Sequence, residues 1–174
     1  MSYYRVGLRR LCLTLSIVAS ALFLAGCGPG SGTTGNAGPP ALTAMTLGIQ
    51  EPRPVSDYLS ASEYANASPE LGDRLLMLCA TCHSFDQDRG HMLGPNLYGL
   101  FGRRAGSLDD FGYTRALGNA EFVWTPRALD AWLTYPSQFL PGNAMAFGGI
   151  KDPEDRKALI ASLLRRTSAA ANEP

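Results

Sequence analysis

Residues 79 to 83 read Cys79-Ala80-Thr81-Cys82-His83, two thiols three positions apart with an imidazole directly after them. Three chemistries use such a group. A structural zinc ion needs four ligands in a tetrahedron, usually from a second cysteine pair or two spaced histidines. The remaining cysteines, Cys12 and Cys27, lie far upstream, and the only other histidine is His91. A redox dithiol belongs beside alternating strands and helices, a pattern this chain does not show. Covalent haem needs nothing further: each thiol adds to one vinyl group and the histidine binds iron. Two intervening residues let one tight turn present both sulfurs to one porphyrin edge. One such motif implies one covalent haem c per chain.

An iron held by His83 on one face takes a ligand on the other. The candidates are Met45, Met77, Met92, Met145 and His91. Met77 precedes the thiol motif on the same predicted helix, and His91 and Met92 follow His83 too closely to cross to the opposite face. Met145 stands in Pro141-Gly142-Asn143-Ala144-Met145, where a rigid residue and a flexible one can return a thioether over the iron. His/Met pairing is the common arrangement in cytochromes c.

The elements that position these groups are helical. Ser68-Pro69-Glu70, Thr125-Pro126 and Asp152-Pro153-Glu154-Asp155 each place a capping oxygen before a proline at the first helical position. Leucines and aromatics then recur at helical spacing: Leu71, Leu75 and Leu78; Leu129, Trp132 and Leu133; Leu159, Ile160, Leu163 and Leu164. Pro136 is the expected stop of the second helix, and Arg165 and Arg166 suit the end of the third. Glycine- and proline-rich loops connect them with almost no strand alternation. The expected fold is all-α, three to five helices wrapped around one haem, because so few elements have little core without a central filler.

The N-terminus carries Arg5, Arg9 and Arg10, then an apolar run from Leu11 to Ala25. This is a signal-peptide pattern, shorter than the eighteen or so residues of a spanning helix. Its end, Leu24-Ala25-Gly26-Cys27, resembles a bacterial lipobox, which implies lipid on Cys27. The expected organisation is a signal over 1–26, a lipid-anchored linker over 27–67, a haem domain over 68–168 and a tail over 169–174. The expected location is the periplasmic side of a membrane, or the outer cell surface in a Gram-positive cell.

Over residues 68 to 168 the chain resembles the class I c-type cytochromes. The order of the thiol motif, HMLGPNLYGLFGRRAG, FGYT, FVW, FLPGNAM and ALIASLL carries the likeness in sequence and spacing. The resemblance implies thioether bonds from Cys79 and Cys82, His83 and Met145 as axial ligands, and the Pro95 carbonyl on the far nitrogen of His83. It implies that Arg103, Tyr113 and Trp124 bond the haem propionates, and that His91 ties loops together.

Four departures bear on the site. Trp132 replaces a tyrosine near the distal methionine and Leu117 an asparagine, so a drier pocket is expected there. Asn143 replaces a threonine that touches a propionate, a contact its amide can still make. Leu76 and Ser162 replace aromatics where the first and last helices cross, so looser packing is expected.

The resemblance implies an electron carrier, with redox complexes as donor and acceptor and a membrane contact through Cys27. No small-molecule substrate is expected. The alternatives are a permanently bound haem subunit of an oxidase or dehydrogenase, and a haem peroxidase or small-ligand binder. Fifteen basic side chains balance 15 acidic ones, so no nucleic-acid partner is expected. Losing the three signal arginines leaves the mature chain at −3. The family's lysine ring around the haem edge is replaced by Leu78, Met92, Ser137, Gln138 and Ala144, with Lys151 remaining. An apolar contact through Leu78, Met92, Ala144 and Phe147 is expected in place of long-range steering.

Overall fold

The computed structural model describes residues 42–168. The signal expectation, Cys27 and the 169–174 tail lie outside the described residues. Seven helical segments follow one another: α1 Val55–Ser60, α2 Ser62–Ala65, α3 Pro69–Ala80, α4 Arg115–Gly118, α5 Pro126–Thr134, α6 Pro136–Phe139 and α7 Pro153–Arg166. Only α3, α5 and α7 exceed two turns, and these are the three read from the caps and spacing. Among the described residues the only β pairing is one antiparallel bridge between Arg104 and Val123. The fold is all-α, as expected. No helix among the described residues is long and apolar enough to cross a membrane.

The caps form as their sequences require. Ser68 accepts from the Leu71 N–H at 3.2 Å, Thr125 from Ala128 at 3.2 Å, and Asp152 from Glu154 at 2.8 Å. Each satisfies an amide that the helix itself leaves free. The second helix ends at Thr134, and Pro136 opens the short α6 in addition to stopping α5.

The α3–α7 crossing is the frame of the domain, and Gly72 sets its closeness. A β-carbon there would lie 2.3 Å from the Ala158 carbonyl oxygen and 2.4 Å from Ser162 Oγ. The expected looseness at Ser162 is replaced by a polar clasp. Ser162 Oγ donates to Asp73 Oδ1 at 2.8 Å and accepts from Arg165 Nη2 at 3.1 Å. From α7, Arg156 donates to Asp130 on α5 at 2.7 Å and to the Ile150 and Lys151 carbonyls, joining the helices that flank the Met145 loop.

Residues 42–67 correct the linker expectation. Leu47 is 1 % exposed, Tyr58 and Tyr64 are buried, and α1 and α2 pack against α7. The segment is a strap. Its Ala44 N–H donates to the Phe139 carbonyl at 2.9 Å, and Thr125 Oγ1 donates to Gln50 Oε1 at 2.8 Å. Three widely spaced apolar residues carry no periodicity, and their burial depends on surfaces supplied by residues far along the chain. Leu47→Ala is expected to cost about 2–4 kcal/mol of unfolding free energy in denaturant titration. An unchanged midpoint would show that the strap is not part of the cooperative fold.

Candidate functional site

Helix α3 delivers the thiol motif at its C-terminus. Thr81 is its C-cap, and the amides of Cys82 and His83 both donate to the Cys79 carbonyl, at 3.0 and 2.9 Å. This turn keeps Cys79 on the last helical turn and sets Cys82 and His83 just past it. Both thiols are half-buried and not joined to each other. Burial pushes the Cys79 thiol up to about 11, opposite to the lowered value of an attacking redox thiol. No cluster of metal-binding His, Cys, Asp or Glu exists among the described residues, which leaves the zinc reading without its ligands.

His83 is oriented from behind. Its Nδ1 lies 2.7 Å from the Pro95 carbonyl, so Nδ1–H donates and Nε2 keeps its lone pair. Burial holds the imidazole below its ordinary pKa, with the Pro95 bond opposing, so the neutral ring is favoured. The loop bearing Pro95 is pinned through Gly94 N–H to Cys82 O at 2.8 Å and Leu97 N–H to Ser84 O at 2.8 Å. Gly94 forms the cradle of the ring: a β-carbon there would lie 2.3 Å from His83 Cε1 and 2.7 Å from Nδ1. Gly94 is not among the expected site residues, because a glycine in a loop does not by itself tell what approaches it.

Asn96 knots the same loop. Its amide donates to the carbonyls of Asp86 and Arg89, its side-chain oxygen accepts from Tyr98 N–H, and its backbone N–H donates to His91 Nδ1 at 2.9 Å. His91 Nε2 lies 3.0 Å from Asp110 Oδ1, close but poorly aligned for a hydrogen bond. His91 is therefore tied to Asn96 through Nδ1, with Asp110 of a second loop close to its other nitrogen.

Met145 follows α6 on a loop shaped by Asn143. Both amide hydrogens of Asn143 are committed, to Pro136 O at 2.9 Å and Leu140 O at 2.8 Å, and its Oδ1 accepts from Met145 N–H at 2.9 Å. Asn143 thus latches the loop internally and has no amide hydrogen left for the expected propionate contact. Trp132 Nε1 donates to Met145 Sδ at 3.2 Å. The expected loss of a polar partner behind the methionine is corrected here, because the indole supplies the donor that a tyrosine hydroxyl would have given. Trp132 is held edge-on against Trp124 and Phe139, with ring centroids 5.3 and 5.8 Å apart.

Arg103 is partly buried, and burial lowers its pKa. Its guanidinium donates to the neutral carbonyls of Tyr98 and Asn96, at 3.0 and 3.1 Å. No carboxylate pairs with it among the described residues. A desolvated guanidinium on neutral acceptors fits a bound anion. Tyr113 is half-buried, and its hydroxyl is pushed up mainly by burial, with the Arg103 charge opposing. Trp124 is buried, its ring edge-on to Phe122. Two half-buried thiols, a neutral imidazole with a free Nε2, a thioether and an unpaired cation fit a covalent haem with anionic propionates.

The curated relatives of this chain are cytochromes c. The chain is 36 % identical to the cytochrome c of Ginkgo biloba over 108 residues, 62 % of this chain and 96 % of the relative. It is 43 % identical to the cytochrome c of Chlamydomonas reinhardtii over 90 residues, 52 % of this chain and 80 % of the relative. The chain belongs to the cytochrome c family. No family model matches it. As a cytochrome c family member it carries covalently bound haem c and works as an electron carrier, not an enzyme.

Proposed function

We propose that this chain is a membrane-tethered, exported monohaem cytochrome c that passes single electrons between larger redox complexes, anchored by lipid on Cys27. The observation that carries the carrier reading is that both candidate axial side chains are braced from behind by the protein: His83 by the Pro95 carbonyl and Met145 by the Trp132 N–H. Haem c supplies reversible one-electron chemistry at iron. Cys79 and Cys82 would attach it, His83 and Met145 would ligate it, and Arg103, with Tyr113 and Trp124, would receive its propionates. The two braces limit movement of the ligands when charge changes, which suits transfer without rearrangement. His83 and Met145 would hold the iron with the chain's own side chains, which would leave no open position there for a substrate.

The docking surface proposed for the partners is apolar. Leu78 and Met92 are exposed, and Leu93, which the sequence reading omitted, is 83 % exposed. Phe147 is half-buried and packs on the core, so it contributes less than its sequence suggested. With the mature chain at −3, electron transfer to the native partner should change little as added salt shortens the Debye length from about 30 to about 8 Å. A steep fall would place the steering in charges. The tether has its own test: the Cys27→Ser form should be released as soluble holoprotein, and wild-type protein found free of membranes would contradict the anchor.

A further inference from the structure

We infer that the turn from Met45 to Ile49 is the face by which the domain lies in a lipid surface. This rests on the proposal that Cys27 carries lipid. Met45 is 96 % exposed and Ile49 is 94 % exposed, while Leu47 between them is fully buried. That alternation anchors the turn in the core through one side chain and offers the two flanking ones to the outside. Residues 41–50 contain no charged side chain, and the first charges beyond them, Glu51 and Arg53, have opposite signs. The surface therefore selects an apolar partner and not a charged one.

Part of the backbone of the turn is already paired, which matters in a medium with little water, where an unmet polar group is costly. Gln50 Nε2 shares its hydrogens among the carbonyls of Leu47, Gly48 and Ile49, at 3.1, 3.3 and 3.1 Å. Gln50 is itself fixed by Thr125 at 2.8 Å. The Thr43 amide donates to Thr46 Oγ1 at 2.9 Å, and the Thr46 amide to the Thr43 carbonyl at 3.1 Å. A single exposed apolar residue on a surface is ordinary. Two of them on one uncharged turn, with the carbonyls of Leu47, Gly48 and Ile49 answered by one side chain, form a surface that can enter the acyl boundary with part of its backbone already satisfied.

The position of the turn names the occupant. Leu42 is fifteen residues after Cys27, a stretch that spans roughly 50 Å at most when fully extended. A lipid on Cys27 therefore keeps this turn, the first described part of the domain, within roughly 50 Å of the bilayer.

The test uses lipidated holoprotein on phosphatidylcholine vesicles. With Cys79 and Cys82 in thioether bonds and Cys27 acylated, a single introduced thiol takes a nitroxide label uniquely. Labels are placed at Ile49→Cys, at Met45→Cys and, as a control at an exposed position of α6, at Ser137→Cys. On vesicle binding the labels at 45 and 49 should lose broadening by a water-soluble nickel complex and gain broadening by oxygen, while the label at 137 keeps its aqueous signature. Protein that floats with the vesicles but leaves labels 45 and 49 as water-exposed as label 137 would overturn this inference alone. Failure to float, or labelling of the wild type at Cys27, would overturn the anchor and this inference with it.

Discussion

Met145→Ala is expected to lower the reduction potential by roughly a tenth of a volt or more, within the ~0.8 V range over which axial ligands set haem potentials. The same variant should bind carbon monoxide in its reduced form and lose the sulfur-to-iron absorption band. The expectation follows from geometry as well as ligand chemistry. The Met145 amide is held by Asn143 at 2.9 Å and its sulfur by Trp132 at 3.2 Å, so the loop presents one thioether in one place. Alanine leaves that place without a donor, and the latched loop cannot bring another residue in. Trp132→Phe separates the two contributions: it removes the N–H behind the sulfur while keeping a ring in the aromatic cluster, and should shift the potential less than Met145→Ala. If Met145→Ala keeps the native band, another side chain is the ligand and His91 is the first to replace.

Gly94→Ala should be the most damaging conservative change on the His83 side. The added carbon would sit 2.3 Å from His83 Cε1. Neither partner can yield easily: His83 is tied to Pro95 O at 2.7 Å, and the Gly94 amide is tied to Cys82 O at 2.8 Å. Overpacking of this kind costs about 1–3 kcal/mol in an ordinary core, and more where the neighbour cannot move. The variant should therefore show a lowered denaturation midpoint and a disturbed haem spectrum together. Gly90→Ala, upstream in the same loop and with open space at its β-carbon, should leave both unchanged. Equal behaviour of the two variants would mean that Gly94 does not cradle the imidazole.

The three long helices were legible because each announces itself locally, through a capping oxygen, a proline and apolar residues at helical spacing. The thiol motif and His83 were legible because their chemistry is written in adjacent residues. The Pro95 contact came from the family likeness, and the structure gives it a distance. What stayed hidden depends on partners distant in sequence. Leu47, Tyr58 and Tyr64 look like scattered residues in a linker until α5, α6 and α7 supply the surfaces that bury them. Ser162 looks like a packing defect until Asp73, on the opposite helix, accepts its hydroxyl. Asn143 reads as a propionate donor only until its hydrogens are counted against the Pro136 and Leu140 carbonyls. Trp132 reads as a loss of polarity only if the direction of its N–H is unknown.

Intact mass measurement of the holoprotein after acid and organic solvent tests the central claim most directly, followed by sequencing of the peptide that carries residues 79 to 83. The account predicts a chain that keeps the mass of one haem through denaturation, with the added mass on the peptide of Cys79 and Cys82 and at most one thioether left when either cysteine is replaced by alanine. A denatured chain free of haem, or haem retained on a peptide without those two cysteines, would contradict it.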